Sequence, residues 1–351
     1  MNLMTIDGGT TNTRIYLFRE GEIVASSRLP IGVRDAAMAG KKDGLINEVR
    51  KAIENLLKES KIEYRDIRLV VASGMITSNL GILEVPHITA PVAIDDLIKF
   101  SRYLVLPEFF DLPFLFVPGV KNRKPSWADS KSDDLIEAMD MMRGEETETF
   151  GIMELRGLKG PAVLILAGSH IKIVKVDEWG RIDSSVTTMG GELFSTISRN
   201  TILANSIPPE LVTKAEREQL LRGARISERV GFGRGCFVTR VMDLLGDTEG
   251  NDRANFLLGA VIGQDIYAMK NSQALKVNPT DTIVISGPGP LREAFYILLT
   301  ADPYFAGRII MLEDEEVRYS VPVGARKIGM GFLEMQKRRG GDREQNLSVP
   351  D

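Results

Sequence analysis

The sequence predicts an α/β protein of two similar lobes, with a mixed sheet in each and a cleft between them. Three observations carry this. At 351 residues the chain is about twice the usual domain length. A pattern of strand, glycine turn, strand, glycine turn, strand opens near the N-terminus and recurs from residue 162. After each such meander, helical and strand patterns alternate, as layered α/β folds require.

The first meander consists of apolar runs at 3–6 and 15–18 around DGGTTNTR, then the turn EGE and a strand at 23–27. Leu45, Ile46, Val49, Ile53, Leu56 and Leu57 recur at helical spacing and predict a helix over 44–60. RLVVA at 68–72 is a short continuous apolar run before Gly74, as in a strand covered on both faces. Prolines punctuate 85–125, which reads as loop with a helix at 94–100 and a strand at 114–117. The polar stretch KNRKPSWADSKSD at 121–133 reads as an exposed loop, a place for a lid or insertion. A helix over 134–140 follows. The second meander runs through AVLILAGSHIKIVKVD, the turn EWGR and a strand at 182–187. Helices are expected over 192–204, 210–225, 236–245, 252–269 and 291–299, with a strand at 282–285. The tail QKRRGGDREQNLSVPD reads as frayed. The lobes are expected at 1–145 and 146–324, followed at 325–351 by a polar tail and a helix that packs back on the first lobe.

Composition narrows the function. Lys plus Arg is 44 and Asp plus Glu is 48, so the net charge is 44 − 48 = −4. A mildly acidic chain lacks the basic footprint of a nucleic-acid binder. Cys236 is the single cysteine, which excludes an intrachain disulfide and a cysteine metal cage. No window approaches the ~18 apolar residues of a membrane span, and the start carries no signal-peptide pattern. The expectation is a cytoplasmic protein, with a homo-oligomer left open.

Six turns hold residues suited to chemistry. In DGGTTNTR, Gly8 and Gly9 allow close backbone approach and positive φ, while Thr10, Thr11 and Asn12 add donors. Such a concavity suits phosphate oxygens. Asp7, at the strand end, is placed to orient Mg²⁺ through water. The same residues also make a plain hairpin turn. In AGSHIKIV, Gly168, Ser169 and His170 form a second such turn, and Lys172 faces either ligand or solvent. In ISGPGP, Ser286, Gly287 and Gly289 lie between a strand and a helix, where open α/β sheets bind ligands. MRGEETETFG places Arg143, Glu145 and Glu146 at the junction of the lobes. A carboxylate there can accept a hydroxyl proton during phosphoryl transfer, and Arg143 can hold an anion. A solvated helix start is the plainer reading. Ser78 and Asn79 follow a buried strand, and Glu192 of MGGELF lies near a metal or its water.

The order of these motifs resembles the actin-like ATPase and sugar kinase superfamily, and within it the 2-dehydro-3-deoxygalactonokinase family. The family pattern is DWGTTNxR, MxGSxxGWxxAPY, MRGEETQ, PGTHxKWV and MTGELF. Here it stands as DGGTTNTR, GMITSNLGILEVPH, MRGEETETFG, AGSHIKIVKV and MGGELF. LLGAVIGQDI is similar to the family's LSGLLIGxE. The resemblance spans roughly Met4 to Gly324, with MRGEET its most specific string. Gly8, Ile82, Val85, His87, Ala167 and Ile173 depart from it, mostly where the family has bulky aromatics.

The resemblance implies two RNase H-like lobes closing on ATP, Mg²⁺ and a small sugar acid. Asp7 to Asn12 and Gly168 to His170 would hold the phosphates, Ser286, Gly287 and Gly289 the adenosine, and Asp7 with Glu192 the metal. The base would be Glu146 or Glu145, with Glu146 favoured because related kinases place an acid just before a Thr, here Thr147. Ser78, Asn79, Arg143 and Lys172 would meet the sugar acid, Arg143 taking its carboxylate. The implied activity is transfer of phosphate from ATP to 2-dehydro-3-deoxygalactonate. The alternatives are a kinase of another 2-keto-3-deoxy sugar acid or sugar, and an ATP-driven switch without a small acceptor.

Overall fold

The computed structural model describes residues 1–40, 42–125 and 133–345, without the side chains of 36, 39 and 339–345. The expected loop at 121–133 therefore lies largely outside the described residues, as does Trp127. Two compact units emerge. Unit 1 holds Met1–Lys121, Met141–Leu158 and the chain from Arg318 onward; unit 2 holds Asn122–Asp140 and Lys159–Val317. The segment 122–140 thus falls with unit 2, and 146–158 with unit 1.

In unit 1, β1 (Asn2–Gly8), β2 (Thr13–Arg19) and β3 (Glu22–Leu29) form the expected antiparallel meander. Helices α1 (Val33–Ala39) and α2 (Asp43–Ser60) lead to β4 (Ile67–Gly74), which returns parallel to β1. Next come β5 (Ile88–Thr89), α3 (Ile94–Phe100), β6 (Arg102–Leu106), β7 (Leu112–Phe116) and β8 (Val120–Lys121). The sheet order is β3-β2-β1-β4-β7-β6. β6, β5 and β8 lie where the prolines predicted loop, and β5 and β8 form a small sheet with β9 (Met141–Met142). The α2 stripe Leu45, Val49, Ile53 and Leu56 packs on Ile6, Ile15, Leu17 and Phe114 of the sheet, as its 3.6-residue spacing requires.

Unit 2 contains α4 (Asp133–Ala138) and repeats the pattern. β10 (Ala162–Leu166), β11 (Ile171–Val176) and β12 (Ile182–Thr188) are antiparallel neighbours. β13 (Thr282–Ser286) and β14 (Ile309–Met311) extend the sheet in parallel, giving β12-β11-β10-β13-β14. Every residue of β10 is buried, as a central strand with both faces covered must be. Its helices are α6 (Gly190–Asn200), α7 (Arg217–Val230), α8 (Phe232–Leu245), α9 (Gly250–Asn271) and α10 (Gly289–Ala301).

Two expected helices are shorter than their apolar patterns. α6 stops before Thr201, whose backbone is extended and whose Oγ1 caps the next turn by accepting the Leu203 amide. The expected 210–225 helix begins only at Arg217. Asn251 and Asn255 of α9 accept the amides of Thr213, Lys214 and Glu216, and Leu211 has φ +60. Side-chain acceptors compete with the helical ladder for those amides.

Two helices complete unit 1, the second from Arg318 onward. α5 (Glu145–Arg156) and α11 (Asp314–Gln345) cross at glycine contacts. A Cβ on Gly151 would stand 1.7 Å from the Ser320 carbonyl oxygen, and one on Gly324 would stand 2.0 Å from that of Thr147.

Candidate active site

In unit 1 the ends of β1 and β4 and the start of α5 converge through glycines. A Cβ on Gly8 would lie 2.5 Å from Ile76 Cβ. Neither Gly8 nor Gly9 has positive φ, so this turn needs glycine for room and not for handedness. Gly74 does need it: its φ is +83, and a Cβ would lie 2.7 Å from the Gly8 carbonyl oxygen. Gly144, at φ +118, would set a Cβ 3.1 Å from Gly74 Cα. These approaches bring the first acid of α5 towards Asp7. The 7–12 turn closes on itself by Gly9 N–H to Asn12 O at 2.8 Å. It is braced from outside, since Val33 and Arg34 donate their amides to Gly9 O and Thr10 O. Thr10 and Thr11 stay exposed.

Charge is arranged closely here. Arg14 Nη1 lies 3.3 Å from Asp7 Oδ2. Burial holds the Asp7 carboxyl above its usual range, Arg14 opposes this, and the Glu145 charge adds to it. The two junction acids differ. Glu145 is partly exposed, and its Oε2 accepts the Arg143 amide at 3.0 Å. Glu146 has no exposed surface, and both its oxygens accept the Gly144 amide at 2.9 and 2.8 Å. Burial, reinforced by the Glu145 charge, pushes Glu146 up to about 8. At neutral pH it is mostly protonated and out of reach of a ligand, which counts against the favoured assignment of Glu146 as the base.

Arg143 is committed within the protein. Nη1 donates to Thr77 O at 2.7 Å and Thr77 Oγ1 at 2.8 Å; Nη2 donates to Val85 O at 2.9 Å and His87 Nδ1 at 3.1 Å. An arginine only donates, so Nδ1 accepts and His87 is neutral. Burial and the neighbouring cations lower His87 to about 4. With its four Nη hydrogens used, Arg143 is a strut for 77–87 and no longer fits the expected role of taking a substrate carboxylate. Ser78 is likewise buried, donating to Met75 O and accepting from Leu80 N, whereas Asn79 is exposed.

Unit 2 builds its turn the same way. Gly168 is flanked by exposed Ser169 and His170. A Cβ on Gly191 would lie 2.0 Å from Gly168 O, and the Glu192 amide donates to Ser169 O at 2.7 Å. His170 Nε2 lies 3.0 Å from Glu192 Oε2. Gly287, at φ +127, would set a Cβ 2.3 Å from Ala167 O, which places Ser286 and Gly289 beside this turn. Lys172 is buried, on Asp140 Oδ1 at 3.2 Å and on Thr187 Oγ1. Its ammonium is turned to these internal partners and away from solvent, which departs from its place among the expected substrate residues. Asp265 went unnoticed in the sequence. It lies on α9, its Oδ2 would stand 2.0 Å from a Gly190 Cβ, and burial raises it to about 7.

In both units an antiparallel meander of three strands is extended by two parallel strands, β4 and β7 in unit 1 and β13 and β14 in unit 2, and in unit 1 β6 adds an antiparallel edge. The fold is a duplicated RNase H-like one, the class of the actin-like ATPases and sugar kinases. The chain belongs to the 2-keto-3-deoxy-galactonokinase family, whose model matches residues 7–303. It is thus an enzyme, a phosphotransferase with an alcohol group as acceptor. It is 24% identical over 270 residues to the 2-dehydro-3-deoxygalactonokinase of Escherichia coli (strain K12), covering 76% of this chain and 80% of that one. It is 27% identical over 328 residues to a probable 2-dehydro-3-deoxygalactonokinase of Rhizobium meliloti (strain 1021), covering 92% and 96%. A solved structure from Sinorhizobium meliloti, described provisionally as a 2-dehydro-3-deoxygalactonokinase, superposes with a TM-score of 0.70 at 22% identity, covering 94% and 96%.

Proposed function

We propose that the protein transfers the γ-phosphoryl group of ATP to a hydroxyl of 2-dehydro-3-deoxygalactonate, giving the 6-phospho product and ADP. The supporting observation is the partly exposed Glu145 carboxyl at the start of α5, brought by the close contacts of Gly8, Gly74 and Gly144 near enough to Asp7 for its charge to act there. The acceptor oxygen attacks the γ-phosphorus as the bond to the β-phosphate oxygen breaks. Glu145 takes the hydroxyl proton. Glu146, neutral and fixed to the Gly144 amide, sets the backbone of the turn that presents Glu145. The turns at 7–12 and 168–170 bind the phosphates with backbone amides and the hydroxyls of Thr10, Thr11 and Ser169. Ser286, Gly287 and Gly289 receive the adenosine, and Asn79 meets the sugar acid.

Among the described residues no three acidic, His or Cys side chains cluster as a resident metal site. That fits Mg²⁺, which is held by one or two carboxylates together with substrate phosphates. Asp7 and Glu192 are the residues that would hold it, and it would neutralise charge on the transferring phosphate. No helix among the described residues is long and apolar enough to cross a membrane; a cytoplasmic location belongs to the same reading. A second reading, a kinase of another 2-keto-3-deoxy sugar acid or a neutral sugar, draws on one observation: Arg143 has no Nη hydrogen left for a carboxylate.

The test is ADP release from Mg-ATP across a panel of acceptors. Stimulation of about tenfold or more by 2-dehydro-3-deoxygalactonate is expected. Stimulation by the gluconate epimer or a neutral sugar instead would install the second reading. No stimulation by any acceptor would overturn both.

A further inference from the structure

The end of the unit 1 sheet beside the 7–12 turn carries a row of charge. Asp7 on β1 stands directly opposite Arg14 on β2, and Arg14 directly opposite Arg28 on β3. The three share one face. Ile15, Leu17, Ala25 and Leu29 pack with α2 on the other, while Glu22, Val24, Ser26 and Arg28 alternate as the exposed residues of β3. Residues directly opposite on one face have Cβ atoms about 4.5–5.5 Å apart, and like charges so placed destabilise a sheet. The surroundings relieve Arg14 and Arg28 little. Arg14 has its one contact with Asp7 at 3.3 Å, and its side chain is 47% exposed. Among the described residues the Arg28 side chain has no hydrogen bond or ion pair.

Two comparisons make this arrangement specific to the turn. At the far end of the same two strands Arg19 stands opposite Glu22, a complementary pair. In unit 2 the equivalent row is Leu166, Lys172 and Thr187, and its cation is buried on Asp140. The row in unit 1 adjoins the 7–12 turn through the end of β3. Thr13 Oγ1 donates to Ile31 O at 2.8 Å, and the Val33 and Arg34 amides donate to Gly9 O and Thr10 O. Arg143 and Lys172, the cations expected to meet ligand, are spent on internal partners. Arg14 and Arg28 keep their hydrogens for a ligand.

We infer that Arg14 and Arg28 form a two-guanidinium receptor for the terminal phosphate of ATP. The inference rests on the proposed phosphate role of the 7–12 turn. A guanidinium fork matches two oxygens of a phosphate. An oxyanion between two such forks replaces their mutual repulsion with attraction. ADP lacks the terminal phosphate, so the pair separates the nucleotide that enters the reaction from the one that leaves. The same two cations neutralise charge on the phosphoryl group during transfer. Arg28 belongs to none of the glycine turns, and the register of β2 with β3 brings it to the site.

The test is titration calorimetry with Mg²⁺ and either ADP or imido-ATP, whose terminal phosphate resists transfer. Arg28→Ala should raise Kd for imido-ATP about tenfold or more, with Kd for ADP within about twofold. Arg28→Lys keeps the charge without the fork and should recover part of the loss. Steady-state kinetics should show a lower kcat and an unchanged KM for the sugar acid. Arg102→Ala, which removes an exposed arginine from β6 of the same sheet, should alter none of these. Without nucleotide, Arg28→Ala should keep its urea midpoint or raise it, because the like-charge pair is relieved. An equal loss for ADP and imido-ATP overturns the inference, as does a lowered urea midpoint with nucleotide preference intact. A raised KM for the sugar acid with imido-ATP affinity intact also overturns it and makes the pair a carboxylate receptor. If wild type binds neither nucleotide, the phosphate role of the turn fails and the inference with it. If wild type binds both and Arg28→Ala keeps the same preference, the inference fails alone.

Discussion

The two glycine turns, one per unit, share a backbone design and differ in charge. Each sits at the end of its unit's first strand and is closed by a glycine that admits no Cβ, Gly8 within the first turn and Gly191 packed against the second. The 7–12 turn is surrounded by Asp7, Arg14, Glu145 and Glu146, in part buried and shifted. The 168–170 turn carries an exposed His170–Glu192 pair, with Asp265 buried behind it. A duplicated scaffold thus supplies two similar glycine turns, and ionisable side chains crowd one of them. Chemistry should be fragile in unit 1 and nucleotide affinity in unit 2.

The largest expected effect sharpens that contrast. Glu145→Gln removes the proposed base and should lower kcat by about 10²- to 10⁴-fold, with KM for ATP within about threefold. Steady-state kinetics check it; a larger loss of kcat in Glu146→Gln would return the base to Glu146. Next, Gly191→Ala drives a Cβ into Gly168 O, which is backbone and cannot yield cheaply. It should raise KM for ATP by about tenfold or more with kcat less affected, and destabilise by about 1–3 kcal/mol. An unchanged KM would break the equivalence of the two turns.

Arg143→Ala should cost about 2–3 kcal/mol in urea unfolding, because it strands Thr77 O, Val85 O and His87 Nδ1 together. Arg143→Lys should recover little of this, since an ammonium cannot reach all four acceptors. The pH dependence comes next in size. Glu146 is raised from 4.5 to about 8, so the native protein keeps a proton that the unfolded chain releases. Its contribution to stability is full below pH 4.5 and is lost as pH rises towards 8. His87, lowered from 6.5 to about 4, acts oppositely: stability is lost as pH falls from 6.5 to 4. In the window from 6.5 to 8, Glu146→Gln should flatten the decline in urea midpoint. The smallest effect is His170→Ala. Its pair with Glu192 is exposed, so stability should change by less than about 0.5 kcal/mol.

The turns, the meanders and the α2 helix were legible because their signals are local: glycine and threonine between apolar runs, and a 3.6-residue stripe. β6 was not, because Pro107 and Pro113 around RYLVL read as loop while its pairing with β7 is a contact between strands. The start of α7 was hidden for a similar reason, since Asn251 and Asn255 reach it from α9. Arg143 illustrates the limit within the site. Its sequence neighbours suggest an anion receptor, yet residues from 77 to 87 occupy its hydrogens.

The sequence alone determined the α/β class, the duplication, the phosphate-suited turns and the pair of acids at 145 and 146. These follow from residue type, spacing and period, which are properties of neighbours in the chain. Tertiary structure decided which acid is exposed, which cations are spent on internal partners, and which strand ends a sheet. Those depend on burial and on contacts far apart in sequence. Desolvation, which separates Glu146 from Glu145, comes from the packing around a residue and leaves no mark in the local string.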